Sequence, residues 1–253
     1  RIRAMARLGT ANSMGTILGP AVSGALAALG LLAPLYFAAG LAAAAALLIW
    51  WQLPRTPPRD LTRRHASTNL RYTDPRIVTY LATSVGLFVG YSGIQQTLGF
   101  QLQDKLALDG IETAQMTGAA LMVSAAFTFI VQMTVMQRLN LRPIQFMRFG
   151  LAALLAGSVI ICGFSSFALL APGMACLGAG LGLCMPAIYS GASLAVTPEE
   201  QGGAAGLVSA CPAIGFVAGP LCAGALYQID GLLAPLFSAT VFALVLALLM
   251  FRE

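Results

Sequence analysis

Mostly apolar stretches, each about 20 residues or longer, follow one another along this chain with only short polar turns between them. Such a stretch has few ways to fold. Away from water every backbone N–H and C=O must be paired within its own segment, which leaves the α-helix. The chain therefore reads as all-α and polytopic, with about eight transmembrane helices. The windows run 4–29, 31–53, 76–102, 112–137, 143–164, 167–196, 203–229 and 232–251. Hydrophobic residues make up 58% and charged residues 9%, against about 25% charged in an average soluble domain, so no separate water-soluble domain is expected.

The charges orient these windows. Arg1, Arg3 and Arg7 precede the first, while Arg55, Arg59, Arg63, Arg64, Arg71 and Arg76 lie in or at the gap between the second and third. Arg138, Arg142 and Arg148 flank the junction of the fourth and fifth, and Arg252 follows the last. If the spans alternate, all of these share one side and only Lys105 falls on the other. The positive-inside rule makes that side the cytoplasm and places both termini there. The net charge of +5 is then topogenic. Nucleic acid is not an expected partner, because a phosphate-gripping patch needs its charges clustered on a wet surface.

The polar interval 54–75 is the one credible linker. His65 stands alone in it, so neither a metal nor a cofactor is expected. Cys162, Cys176, Cys184, Cys211 and Cys222 lie inside apolar runs, where free cysteine behaves as a small hydrophobe. The chain opens on Arg1 rather than Met and has no signal-peptide pattern, which reads as a fragment with its first part upstream.

Residues 1–53 and 201–251 are one segment written twice. At an offset of 200, Gly15, Gly19, Pro20 and Gly24 fall on Gly215, Gly219, Pro220 and Gly224. After a one-residue slip, the stretch from Gly30 to Tyr36 matches that from Gly231 to Phe237. Related helix pairs about a pseudo-two-fold axis along the membrane normal are expected, as in secondary transporters. Within each copy, small residues one turn apart let two helix backbones approach closely, and the proline removes a backbone hydrogen bond.

Here the chain resembles the major facilitator superfamily, particularly its drug/proton antiporter branch. The segment Gly15 to Gly24 is similar to the glycine-proline motif of that branch's fifth helix, with Ser23 in place of a usual glycine. Gly215 to Gly224 is similar to its counterpart in the eleventh helix, and Thr197 to Gly206 to the entry to that helix. The resemblance implies helices five to twelve of a twelve-helix fold, with about four more upstream. Residues 1–53 would end the amino-terminal bundle, 54–75 would form a cytoplasmic linker, and 76–253 the carboxy-terminal six-helix bundle. Gly15, Gly19, Pro20 and Gly24 would seal the periplasmic side and be associated with antiport. The loop Met136 to Pro143 takes the place of the family's cytoplasmic loop between helices eight and nine, but lacks its glycine and aspartate. Arg138 and Arg142 are candidates there for gate contacts, with simple topogenic charge as the alternative.

Family members bind substrate at mid-membrane between two halves. Ser84, Phe88, Tyr91 and Gln95 share one face of the third window, with Gln96 beside it. Amides and a phenol there are costly unless they face protein or water. The same argument nominates Ser124, Thr128 and Gln132 in the fourth window, and Tyr189 with Ser190 in the sixth. Taken alone, each such residue is more often an interhelical hydrogen-bonding group than a substrate contact, and it is together that the Tyr91 and Gln95 face reads as a cavity wall. Phe88, Phe127 and Phe129 suit a moderately apolar organic substrate.

Every carboxylate lies in a loop or near a window end. Proton coupling normally uses a titratable group within the membrane, so the upstream helices are expected to hold it. The leading expectation is a proton-coupled exporter of small organic compounds in the bacterial-type inner membrane, surrounded by lipid and monomeric at full length. A facilitator or importer of a metabolite is the alternative within the same class. An intramembrane enzyme would need a nucleophile with its base, or metal ligands, at depth, and the windows lack them. A structural scaffold would not need amides and a repeated Gly-Pro pair.

Overall fold

A computed structural model describes residues 19, 22, 23, 26, 29, 30, 32–52, 70–139 and 141–251. Among them are seven α-helices and no strand. They are α1 (Ala33–Gln52), α2 (Val78–Leu106), α3 (Gly110–Arg138), α4 (Pro143–Cys162), α5 (Phe167–Leu194), α6 (Gln201–Tyr227) and α7 (Leu233–Met250). Each falls on an expected window. The first window lies mostly outside the described residues, and with it Gly15, Pro20, Gly24 and most of the first helix of the first repeat copy.

Local chemistry sets several of the ends. The α3 helix starts at Gly110, ahead of its apolar run, because Asp109 and Glu112 form a capping box. The Glu112 N–H donates to Asp109 Oδ1 at 2.7 Å, and the Asp109 N–H to Glu112 Oε2 at 3.4 Å. Pro143 occupies the first turn of α4, where its missing N–H costs nothing. The α2 helix runs past its apolar stretch to Leu106 and stops where Ala107 turns left-handed, at φ 51°. That extra turn carries Lys105, whose Nζ donates to the Cys162 carbonyl at the end of α4 (3.0 Å) and lies 4.3 Å from the Phe164 ring centroid.

Among the described residues, six helices are long and apolar enough to cross a membrane. The exception is α2, which has the length at 29 residues but carries Gln95, Gln96, Gln101 and Gln103. It nevertheless packs among the spanning helices, chiefly on α6 and α7. The α3 helix lies mainly on α5, and α4 lies on α5 and α7. Leu87, Ile94, Met147, Leu151, Leu154, Leu177 and Phe242 are buried in the shared core. By contrast, α1 buries none of its residues, and Trp50 and Trp51 are each 86% exposed. A helix that is apolar all round and buries none of its residues is suited to lipid.

Apolar burial discriminates little within lipid, so close approach and hydrogen bonds hold the helices together. The α5 helix uses two glycine faces for this. Toward α4, a Cβ on Gly180 would lie 2.5 Å from the Gly150 carbonyl oxygen, and one on Gly157 would lie 2.7 Å from that of Gly173. Toward α3, a Cβ on Gly178 would lie 2.0 Å from the Ser124 carbonyl oxygen, and one on Gly182 would lie 2.8 Å from that of Thr128. Arg148 Nη2 donates to the Leu249 carbonyl at 2.7 Å, placing a cation at the C-terminus of α7 where the helix dipole favours it.

The α2 and α6 helices are joined at three levels. At the arginine-bearing end, Arg76 Nη1 and Nη2 donate to Glu200 at 2.9 and 3.2 Å, while Nε and Nη2 donate to Asp74 at 3.1 and 2.9 Å. Midway, the Ser92 hydroxyl donates to the Gly215 carbonyl at 2.9 Å. At the far end, the Tyr227 hydroxyl donates to the Asp104 carboxylate, and the Tyr227 and Phe100 rings lie 6.0 Å apart.

The Arg76 clasp has a defined pH response. Hydrogen bonds from Arg76 hold the Asp74 and Glu200 carboxyls below the usual carboxylate range, with the Thr197 backbone N–H helping at Glu200. Asp74, first, and Glu200 raise Arg76 in turn. Because the folded carboxyl values are depressed, the clasp is fully present above the ordinary carboxylate pKa. It is lost as pH falls from there through the folded values. A double-mutant cycle of Arg76→Gln and Glu200→Gln, read by thermal unfolding, should show a small coupling that is constant from about pH 8 to about pH 6 and disappears in acid. Loss of coupling already near pH 6 would contradict these assignments.

Candidate substrate cavity

Tyr91 and Ser124 each sit halfway along a 29-residue helix, on α2 and α3 respectively. The two helices run antiparallel through a short turn, so their midpoints meet. The Tyr91 phenol lies near the Ser124 hydroxyl. No hydrogen bond forms between them, and Ser124 Oγ, in a residue only 1% exposed, keeps no partner. Gln95 and Gly99 continue the Tyr91 stripe at four-residue steps. Gly99 faces Thr117, with an added Cβ 3.7 Å from the Thr117 hydroxyl. Gln95 Oε1 and Thr117 Oγ1 are also buried without a hydrogen-bond partner.

These helices touch less extensively than α2 with α6 or α3 with α5. The gap widens toward the α2–α3 turn into a cavity of about 350 Å³ lined by Ser23, Gly99, Thr113, Thr117, Gly118 and Leu121, among others. Gly99, Thr113 and Thr117 escape a search for amides and phenols in apolar windows. Their signal is the run of small and hydroxylated residues at helical spacing, Thr113, Thr117 and Ser124.

The other nominated residues are placed differently. Thr128 donates to the Ser124 carbonyl at 2.9 Å and to the Gly178 carbonyl of α5 at 2.8 Å, so its hydroxyl is engaged between helices. Gln96 is exposed and Gln132 half-buried, and neither is among the residues lining the cavity. The Tyr189 hydroxyl lies 3.5 Å from Ser209 Oγ, between α5 and α6. Ser84 is buried, and the Phe88 ring stacks at 5.8 Å on Phe216 of α6. Phe127 and Phe129 are exposed. Arg138 and Arg142 are exposed at the turn between α3 and α4, and among the described residues the ion pairs are those of Arg76.

The described glycines of the two motifs, Gly19 in the first and Gly215, Gly219 and Gly224 in the second, meet different surroundings. A Cβ on Gly215 would lie 2.3 Å from Phe88 Cβ, and one on Gly219 would lie 2.1 Å from Ser92 Oγ and 2.4 Å from the Val89 carbonyl oxygen. Pro220 and Gly224 are half-buried, and a Cβ on Gly224 would meet nothing within 4 Å. Gly19 is exposed, and a Cβ there would meet nothing within 4 Å. Gly219→Leu is therefore expected to lower stability by at least about 3 kcal/mol, the upper end for an overpacked site. Gly19→Leu should leave the thermal unfolding of the purified protein nearly unchanged. Equal losses in the two variants would refute this contrast.

A bundle of long apolar helices with buried polar groups at mid-length and a cavity between two of them suits a membrane transporter. Comparison with known families identifies the chain. A model of the Major Facilitator Superfamily matches residues 1–211 and, in a second match, residues 135–253. No curated protein matches. The two matches together cover the entire sequence and overlap between 135 and 211, as a fold built of related halves allows. The chain belongs to the Major Facilitator Superfamily.

Proposed function

We propose that this transporter exports small organic compounds from the cytoplasm in exchange for protons, by alternating access. The observation that carries the transport part lies between α2 and α3. Midway along α2 and α3, Tyr91 lies near Ser124, and Gln95 Oε1 and Ser124 Oγ are buried without partners, while a cavity opens between the same helices toward their turn. The antiport part rests on the sequence of the glycine-proline motif, Gly15, Gly19, Pro20 and Gly24. In this reading α1 is the sixth helix of twelve, α2 to α7 form the carboxy-terminal bundle, and the motif seals the outer side while Arg138 and Arg142 contribute to the inner gate. The arginine-bearing ends face the cytoplasm of the inner membrane. The protein acts as a monomer and catalyses no covalent step.

A second reading, facilitated passage without coupling, is favoured by one observation. Among the described residues no carboxylate lies within the central turns of any helix. Proteoliposomes with an imposed pH gradient separate the two. An antiporter accumulates a fluorescent organic test compound above its external concentration, and a protonophore abolishes the accumulation. A facilitator only equilibrates the compound, whatever the gradient. Equilibration alone would overturn the coupled reading.

A further inference from the structure

The arginines at the Arg76 end of the bundle are answered unequally. Arg76 is held by two carboxylates, and Arg148 donates to the Leu249 carbonyl. Arg138 ends α3 and Arg142 precedes Pro143 of α4; both are exposed, and among the described residues neither has an ion-pair partner. The flanking helices offer none. No Asp or Glu occurs from Thr113 to Pro198, a stretch that holds nearly all of α3 and the whole of α4 and α5. Asp109 and Glu112 lie at the opposite end of α3, and Glu199 and Glu200 lead into α6, whereas α4 packs on α5 and α7. The α7 segment has no carboxylate from Gly231 to Arg252.

Next to these two arginines α4 turns a bare face outward. Gln145, Phe149, Ala152, Ala156 and Val159 are exposed in steps of three and four residues, which puts them on one side of the helix. Phe149 is 61% exposed, and the small side chains at 152 and 156 let an acyl chain lie close to the backbone. Ten residues from Arg142 reach about 15 Å, half the hydrocarbon thickness of a bilayer. Topogenic charge asks only that arginines lie at this end. Two unanswered guanidiniums at the head of an apolar strip are also complementary to one class of molecule, with an anionic head and an apolar tail. Guanidinium matches phosphate in charge and in its paired donors.

We propose that the α3–α4 turn and the outward face of α4 dock an anionic phospholipid of the adjoining leaflet. Its phosphate sits on Arg138 and Arg142, and an acyl chain runs along Phe149, Ala152 and Ala156. The inference rests on the membrane placement of the bundle and not on what the protein transports. Gate contacts made by the same arginines would compete with the phosphate.

The intact chain, purified in a neutral detergent, is titrated with phosphatidylglycerol and separately with phosphatidylcholine, and retained lipid is counted by native mass spectrometry. Phosphatidylglycerol should bind at least about tenfold more tightly. Arg138→Gln and Arg142→Gln should each weaken it by about fivefold, the effect of one basic side chain at an anionic surface. Arg71→Gln removes an exposed arginine outside this turn and should change nothing. Ala152→Trp fills the strip while keeping both guanidiniums, and it should weaken phosphatidylglycerol too. All four side chains lie at the surface or on the outward face, so thermal unfolding should stay with the parent. Equal binding of the two lipids would overturn the inference. So would an equal loss in Arg71→Gln, which would make the effect one of net charge. Unchanged binding in Ala152→Trp, or displacement of the lipid by millimolar inorganic phosphate, would reduce the turn to an anion site and overturn lipid docking.

Discussion

Gly178→Ala is expected to produce a chain that still inserts but no longer holds α3 against α5. The added methyl would meet backbone rather than a yielding side chain, at 2.0 Å from the Ser124 carbonyl oxygen, 2.7 Å from its carbonyl carbon and 2.8 Å from its Cα. Relief therefore requires moving one helix against the other. That movement would also break the bond from Thr128 to the Gly178 carbonyl, now 2.8 Å long. Overpacking alone typically costs about 1–3 kcal/mol, and the lost hydrogen bond adds to it. Insertion should persist, because it depends on apolarity, which an added methyl does not reduce. Gly224→Ala is the control, since its new methyl meets nothing within 4 Å. Replacing that helical glycine should be neutral or stabilising by up to about 1 kcal/mol. Thermal unfolding in detergent decides the matter, and equal midpoints for the two variants would disprove the packing described at Gly178.

The contrast between these glycines shows what a sequence of this kind discloses. Helix positions were legible because each span must satisfy its own backbone, and apolar length follows from bilayer thickness. The early start of α3 could also have been read, since Asp109 and Glu112 are three residues apart ahead of an apolar run. Which helices touch was not legible. Gly19 and Gly219 occupy the same place in a repeated motif, yet one faces open space and the other meets Ser92 and Val89. Likewise Thr128 and Ser124 are both hydroxyls in an apolar window. Thr128 donates to its own helix and to Gly178 on a helix 50 residues away, whereas Ser124 Oγ has no partner. The extra turn of α2 is tied to Cys162, 57 residues distant, and the Arg76 clasp spans 124. Contacts of this range leave no periodic trace in the sequence, whereas a stripe such as Tyr91, Gln95 and Gly99 does.

That stripe carries the prediction on which the transport reading most depends. Gln95→Leu should reduce transport by about tenfold to a hundredfold while leaving insertion, expression and thermal unfolding close to the parent. The argument begins with the amide's present state. Gln95 Oε1 makes no hydrogen bond in the folded chain, so removing it leaves no other protein group unpaired. Leucine is also closer to the apolar character of the helix, and the folded state should lose little. A bound substrate that paired with the amide would instead face an apolar side chain, leaving its own polar group buried and unmatched. That defect costs about 1–3 kcal/mol, which sets the expected range. Gln96→Leu is the matched comparison, since Gln96 is exposed on a neighbouring face and should tolerate replacement. The measurement is the initial rate of gradient-driven uptake into proteoliposomes across a range of substrate concentrations. If Gln95→Leu transports like the parent, or if Gln96→Leu fails equally, the Tyr91 and Gln95 face does not line the route that substrate takes.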